Sequence, residues 1–163
     1  MRIIEDNDAK KMARDPRMIN KIESVLLNAK VYEALHPLIC VVNQQRKYQK
    51  DTFVIILANA LEFDVKNLFL EQKRFSDILV EIDENRACYA LVCLDTKVEG
   101  GFHFAQRLLR HMKTGFAKDI YMAVVDVRGG NHSADDILFT LMDIHSKAML
   151  MGRQGEAVLH SMM

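Results

Sequence analysis

The chain has 163 residues, half of them hydrophobic, with Lys plus Arg and Asp plus Glu equal at 22 each. That length and apolar content fit one folded domain with a sizeable core and exclude a disordered tail. Zero net charge argues against a dedicated binder of nucleic-acid polymers, which carries a basic excess, although it leaves room for a local basic patch.

The first residues, Met1-Arg2-Ile3-Ile4-Glu5-Asp6, lack the apolar core of a signal peptide. No apolar run reaches the roughly 18 residues that a membrane crossing needs. Cys40, Cys88 and Cys93 lie inside apolar runs, which reads as buried, reduced thiols in a cytoplasmic protein. Residues 1–14 are charged and weakly patterned, a lead-in or linker; 15–163 read as one domain.

Asp15-Pro16 has the form of an N-cap followed by proline at the first helical position. Ile19, Ile22, Leu26 and Ala29 follow at helical spacing, which predicts a helix over 16–35 that Pro37 ends. The short apolar run 37–43 predicts a buried strand, and the polar stretch 43–50 a loop. Residues 52–63 fit either period; their length and alanines favour a helix.

Ile78-Leu79-Val80-Glu81-Ile82 alternates as a strand, and Asp83-Glu84-Asn85-Arg86 is rich in turn formers. With a second strand over 87–94, this predicts a hairpin. Gly100-Gly101 is expected to break the chain before a helix over 102–114. Phe104, Ala105, Leu108, Leu109 and Met112 form its buried stripe, while Arg107, Arg110 and His103 share its outer face. A strand over 120–127 ends at Gly129-Gly130. Ser133-Ala134-Asp135-Asp136 reads as a capping box that opens a helix to about 151, and Gly152 stops it. A short strand over 157–160 closes the chain. The order predicts an α+β fold, a central mixed sheet with helices packed on it.

One stretch carries chemistry. In Arg74-Phe75-Ser76-Asp77 a guanidinium and a carboxylate stand at the mouth of a strand. Arginine offers a rigid fork of donors and aspartate offers acceptors, a pair suited to gripping guanine and phosphate groups. The plainer reading is a surface ion pair of almost no energetic weight. His103, Arg107 and His111 share one helix without a carboxylate or cysteine at metal-ligand spacing. Gly129-Gly130-Asn131-His132 lacks the Gly-Lys-Ser/Thr of a phosphate loop.

Together these stretches resemble the GGDEF (diguanylate cyclase) domain over roughly residues 15–160. Ser133-Ala134-Asp135-Asp136-Ile137-Leu138, then Ala148, Gly152-Arg153 and Gln154, is similar to the family's last helix and its closing A-K-x-x-G-R-N run, with Met149 in place of the lysine. Leu94-Asp95-Thr96 and Phe104-Ala105-Gln106-Arg107-Leu108 are similar to a strand end and the helix after it. The lead motif D-x-L-T-G-L-x-N-R is reduced to Asp15-Pro16-Arg17-Met18-Ile19-Asn20-Lys21. Arg74 to Asp77 stands five residues before Asp83, the spacing of the family's R-x-x-D product-binding site ahead of its GGDEF turn.

The resemblance implies a nucleotide-cyclase-like, mainly antiparallel sheet with helices on both faces. It also implies a site for cyclic di-GMP at Arg74, Asp77 and Arg107, with Arg110 in reserve. Asp77 would accept from the guanine edge, and an intercalated ligand dimer would bridge two copies of the protein. The departures bear on activity. The GGDEF turn is replaced by Asp83, Glu84, Asn85, Arg86 and Ala87, whose side chains obstruct the approach that the two glycines allow. Val41-Val42-Asn43-Gln44, read as the end of the first strand, lacks the family's metal-binding aspartate, and F-K-x-x-N-D is not found after it. Without paired carboxylates, phosphoryl transfer loses its magnesium support.

The expectation is an inactive domain, with no metal or cofactor, that acts as a cyclic di-GMP receptor. It would relay the signal to a partner or a second copy, in the manner of family members in exopolysaccharide or motility control. The alternatives are an interaction or dimerisation module without a nucleotide, and an active cyclase. A ferredoxin-like RNA binder also fits the order, but apart from Tyr89 the hairpin lacks stacking aromatics.

Overall fold

The structure, a computed structural model, describes residues 16–49, 52–129 and 131–163, with side chains in the first helix described from Lys21 to Arg46. The lead-in over 1–14, the Asp15 cap, Lys50, Asp51 and Gly130 lie outside the described residues. The elements are α1 (Pro16–Gln49), β1 (Phe53–Leu61), α2 (Val65–Gln72), β2 (Ile78–Asp83), β3 (Cys88–Leu94), α3 (Val98–Thr114), β4 (Lys118–Val127), α4 (Ala134–Leu150) and β5 (Glu156–Met162). The five strands lie in the order β2-β3-β1-β4-β5. Neighbours are antiparallel except β4 and β5.

The predicted order of elements is present, but its first third sits on other residues. The helix does not stop at 35. It runs to Gln49 through the expected strand over 37–43 and most of the expected loop. Its buried stripe, Leu27, Val31, Leu35, Ile39 and Val42, keeps a helical period across Pro37. Pro37 and Glu33 are both exposed, so the carbonyl that proline leaves unpaired faces water. By length and composition, Lys21–Arg46 is also apolar enough to cross a membrane, which the expectation of no such run misses by dividing the helix.

Residues 53–61, expected as helix, form the central strand. Phe53, Ile55 and Leu57 meet α1 and α4 on one face, while Val54, Ile56, Ala58 and Ala60 meet α2 and α3 on the other. A strand buried on both sides shows no alternation, and its alanines fit close packing. The short helix α2 is not among the predicted elements. Asp64 caps it by accepting from the Asn67 amide at 3.0 Å, and Val65, Leu68 and Phe69 are buried.

Gly100 and Gly101 lie inside α3, not before it. A Cβ on Gly101 would meet the Val54 side chain at 2.7 Å, so this glycine lets α3 approach β1 closely. The hairpin, β4, the Ser133-capped α4 and the closing strand stand where expected, within a few residues. Ser133 Oγ accepts from the Asp136 amide at 3.0 Å. All three cysteines are free, with Cys88 and Cys93 buried and Cys40 half-buried.

Candidate functional site

Strand register assembles the site. Ile78 of β2 lies opposite Val92 of β3, so the turn before β2 abuts the end of β3. The chain leaves β3 through Asp95 and Thr96 and enters α3 two residues later. The first turns of α3 then present Gly100, His103, Phe104 and Arg107 on one face, at helical spacing. With Arg74, Cys93 and Thr96 they line a hollow of about 360 Å³, within the range of small-molecule sites. Arg74 and Arg107, distant in sequence, are thus two walls of one depression. Phe104 underlies the second, with the Arg107 Cζ 5.0 Å from its ring centroid.

Asp77 takes a different place from the one expected of it. Its side chain is fully buried, and its carboxylate is turned onto Arg74. It accepts from the Arg74 amide at 2.8 Å, from Nε at 3.1 Å and from Nη2 at 2.8 Å. The acceptor face predicted to read a guanine edge is therefore occupied by its neighbour. Arg74 Nη2 also donates to the Leu94 carbonyl at 2.9 Å and to Thr96 Oγ1 at 2.6 Å. The Arg74 side chain remains 49% exposed, and its hydrogen bonds to Asp77 hold its pKa above the ordinary value. Burial pushes the Cys93 thiol up to about 12, so it lines the hollow as an uncharged group. Arg110 is exposed and is not among the lining residues.

The turn over 84–87 stands at the opposite end of the hairpin. Asp83 is buried and paired with Lys30 of α1 at 2.9 Å and with Arg86 at 2.5 Å, and it accepts from the Asn85 amide. Burial pushes its pKa up, but the bonds from Lys30 and Arg86 outweigh that and leave it below the usual carboxylate range. Glu84 and Asn85 are exposed, and Ala87 adopts a left-handed φ of 48°. Among the described residues no three His, Cys, Asp or Glu side chains cluster as metal ligands.

Moving the first strand to 53–61 changes the comparison with the family motifs. β1 carries no carboxylate, and Asn59 Oδ1 near its end accepts from His145 Nε2 at 2.7 Å. The residues after it, Phe63-Asp64-Val65-Lys66-Asn67-Leu68, keep the Phe and Asn of F-K-x-x-N-D. That partial match is hidden while the strand is placed at 37–43. Sequence reasoning also misses Thr96, which only the register of β2 against β3 brings to Arg74.

No family model and no curated protein matches the sequence. Solved structures do. The chain superposes on the GGDEF domain of FimX from Pseudomonas aeruginosa with a TM-score of 0.61 at 12% identity, covering 76% of this chain and 90% of that one. It superposes on the coiled coil and GGDEF domain of DgcB from Caulobacter crescentus, solved in complex with c-di-GMP, with a TM-score of 0.64 at 10% identity. That match covers 96% of this chain and 98% of the other. The chain has a GGDEF-like fold. The GGDEF-like sheet accounts for the mainly antiparallel order, with α1 and α4 on one face and α2 and α3 on the other.

Proposed function

We propose that this domain is a catalytically inactive receptor that binds cyclic di-GMP between Arg74 and Arg107. The observation that carries the reading is the convergence of these two guanidiniums on one hollow, with an aromatic ring beneath the second. Arg107 can fork onto guanine O6 and N7, while Arg74, held by Asp77, can reach a guanine or phosphate acceptor through Nη1 or stack on a base. Asp77 serves by fixing Arg74, not by touching the ligand. The DgcB structure contains c-di-GMP on a similar fold, and that supports the choice of ligand.

The other end of the hairpin supports the inactive reading. Asp83 is already tied to two cations, β1 offers no carboxylate, and side chains occupy the turn. Among the described residues no cluster of acids is arranged there to hold magnesium for phosphoryl transfer. Calorimetric titration with cyclic di-GMP tests the receptor reading. Saturable binding to the wild type that Arg74→Ala weakens supports it, and no heat at high micromolar ligand removes it. Incubation with GTP and magnesium tests the inactivity, since any turnover to the cyclic dinucleotide would restore the enzyme reading.

A second reading, an interaction module acting without nucleotide, is favoured by α1. Its buried stripe faces the sheet, yet Ile22, Val25 and Leu26 on the other side are 49%, 63% and 50% exposed. That is an apolar face at the spacing of a helix pair, and a second copy of the chain is its simplest occupant. The two readings are compatible if a pair of domains forms through α1.

A further inference from the structure

The geometry points to Thr96 as a positioning residue for Arg74, and to the Thr52–Thr96 contact as the link between the hollow and the C-terminal end of α1. The inference rests on Arg74 being a ligand contact. Thr96 Oγ1 uses its proton on the Leu94 carbonyl at 2.9 Å, which leaves its lone pairs to accept from Arg74 Nη2 at 2.6 Å. The same Nη2 reaches Leu94 O. Asp77 grips the guanidinium from one side and the end of β3 grips it from the other. With Nε and Nη2 engaged in this way, Nη1 is the nitrogen left to a ligand.

The grip extends across the sheet. The Thr96 amide donates to Thr52 O at 3.3 Å, and Thr52 Oγ1 donates to Thr96 O at 2.9 Å. Thr52 immediately precedes β1 and follows the connection from α1. Asp95, between Leu94 and Thr96, holds a left-handed φ of 49°, a costly backbone for a residue with a side chain. Leu94 and Asp95 also line a second, smaller hollow with Thr52 and with Val42, Gln45 and Arg46 of α1. The segment 94–96 therefore runs between the two hollows, with Leu94 and Asp95 on the smaller and Thr96 on the larger. A ligand that draws on Arg74 changes the load on Thr96, and Thr52, which lines the smaller hollow with Val42, Gln45 and Arg46, is the route by which that change reaches α1.

Calorimetry and amide hydrogen exchange with cyclic di-GMP test this on the wild type, Thr96→Val, Thr96→Ser and Thr52→Val. Removing a charge-assisted bond predicts about tenfold weaker binding for Thr96→Val, with Thr96→Ser within about twofold of wild type. Thr52→Val binds within about threefold of wild type but loses the ligand-induced change in exchange over 42–49. Urea unfolding of each variant separates loss of fold from loss of positioning. If the wild type binds and Thr96→Val binds equally tightly, the positioning role is overturned and the receptor reading stands. If Thr52→Val keeps the exchange response, the link to α1 is overturned. If the wild type binds nothing, both the receptor reading and this inference fall.

Discussion

His145 shows at the scale of one residue how burial becomes a pH dependence. It is 1% exposed, its Nε2 meets Asn59 at 2.7 Å, and burial lowers its pKa from 6.5 to about 4. The fold holds the imidazole neutral, while the unfolded chain takes up a proton near pH 6.5. The stability is therefore complete above that pH and is lost as pH falls toward 4. The full loss is about 3 kcal/mol. Urea midpoints between pH 7 and pH 5 should fall for the wild type and stay flatter for His145→Gln, over a window above most carboxylate titrations. Equal slopes for the two proteins would contradict this account. The candidate site is partly legible at this scale. Arg74 can be named from its residue type and spacing, Arg107 only through the resemblance to the family. Asp77 can be named too, but not its direction, because nothing local says whether a carboxylate faces solvent or its own turn.

Among the elements, α3 separates two adjacent glycines by what surrounds them. Gly101→Ala would force a methyl against the buried Val54 side chain and should cost about 1–3 kcal/mol, read by urea or thermal unfolding. A Cβ on Gly100 would meet nothing within 4 Å, so Gly100→Ala should be neutral or stabilise by up to about 1 kcal/mol through helix propensity. Equal effects would contradict the close packing of α3 on β1. The same pair explains a failure of sequence reasoning, which takes both glycines as a break when one is a packing contact. The hairpin, β4 and α4 are legible because each has alternation, a cap or a glycine stop of its own. The first third is not. β1 is buried on both faces and so loses its period, and Pro37 looks like a terminator until one sees that it lies on the solvent side of α1. The buried stripe from Leu27 to Val42 is the signal that could have joined the two halves.

For the molecule as a whole, two surfaces carry the account, and each has its own test. The outer face of α1 predicts self-association. Sedimentation equilibrium should show a wild-type dimer and a Val25→Glu monomer of unchanged secondary structure, whereas a wild-type monomer at every concentration would remove this face as a pairing surface. The hollow between Arg74 and Arg107 carries the central claim. The most direct test is calorimetric titration of cyclic di-GMP into wild type, Arg107→Ala and Arg110→Ala, two arginines on one helix of which only the first lines the hollow. Arg107→Ala should weaken binding about tenfold or more, and Arg110→Ala should match the wild type within about twofold. Unchanged affinity in Arg107→Ala, or an equal loss in Arg110→Ala, would contradict the site.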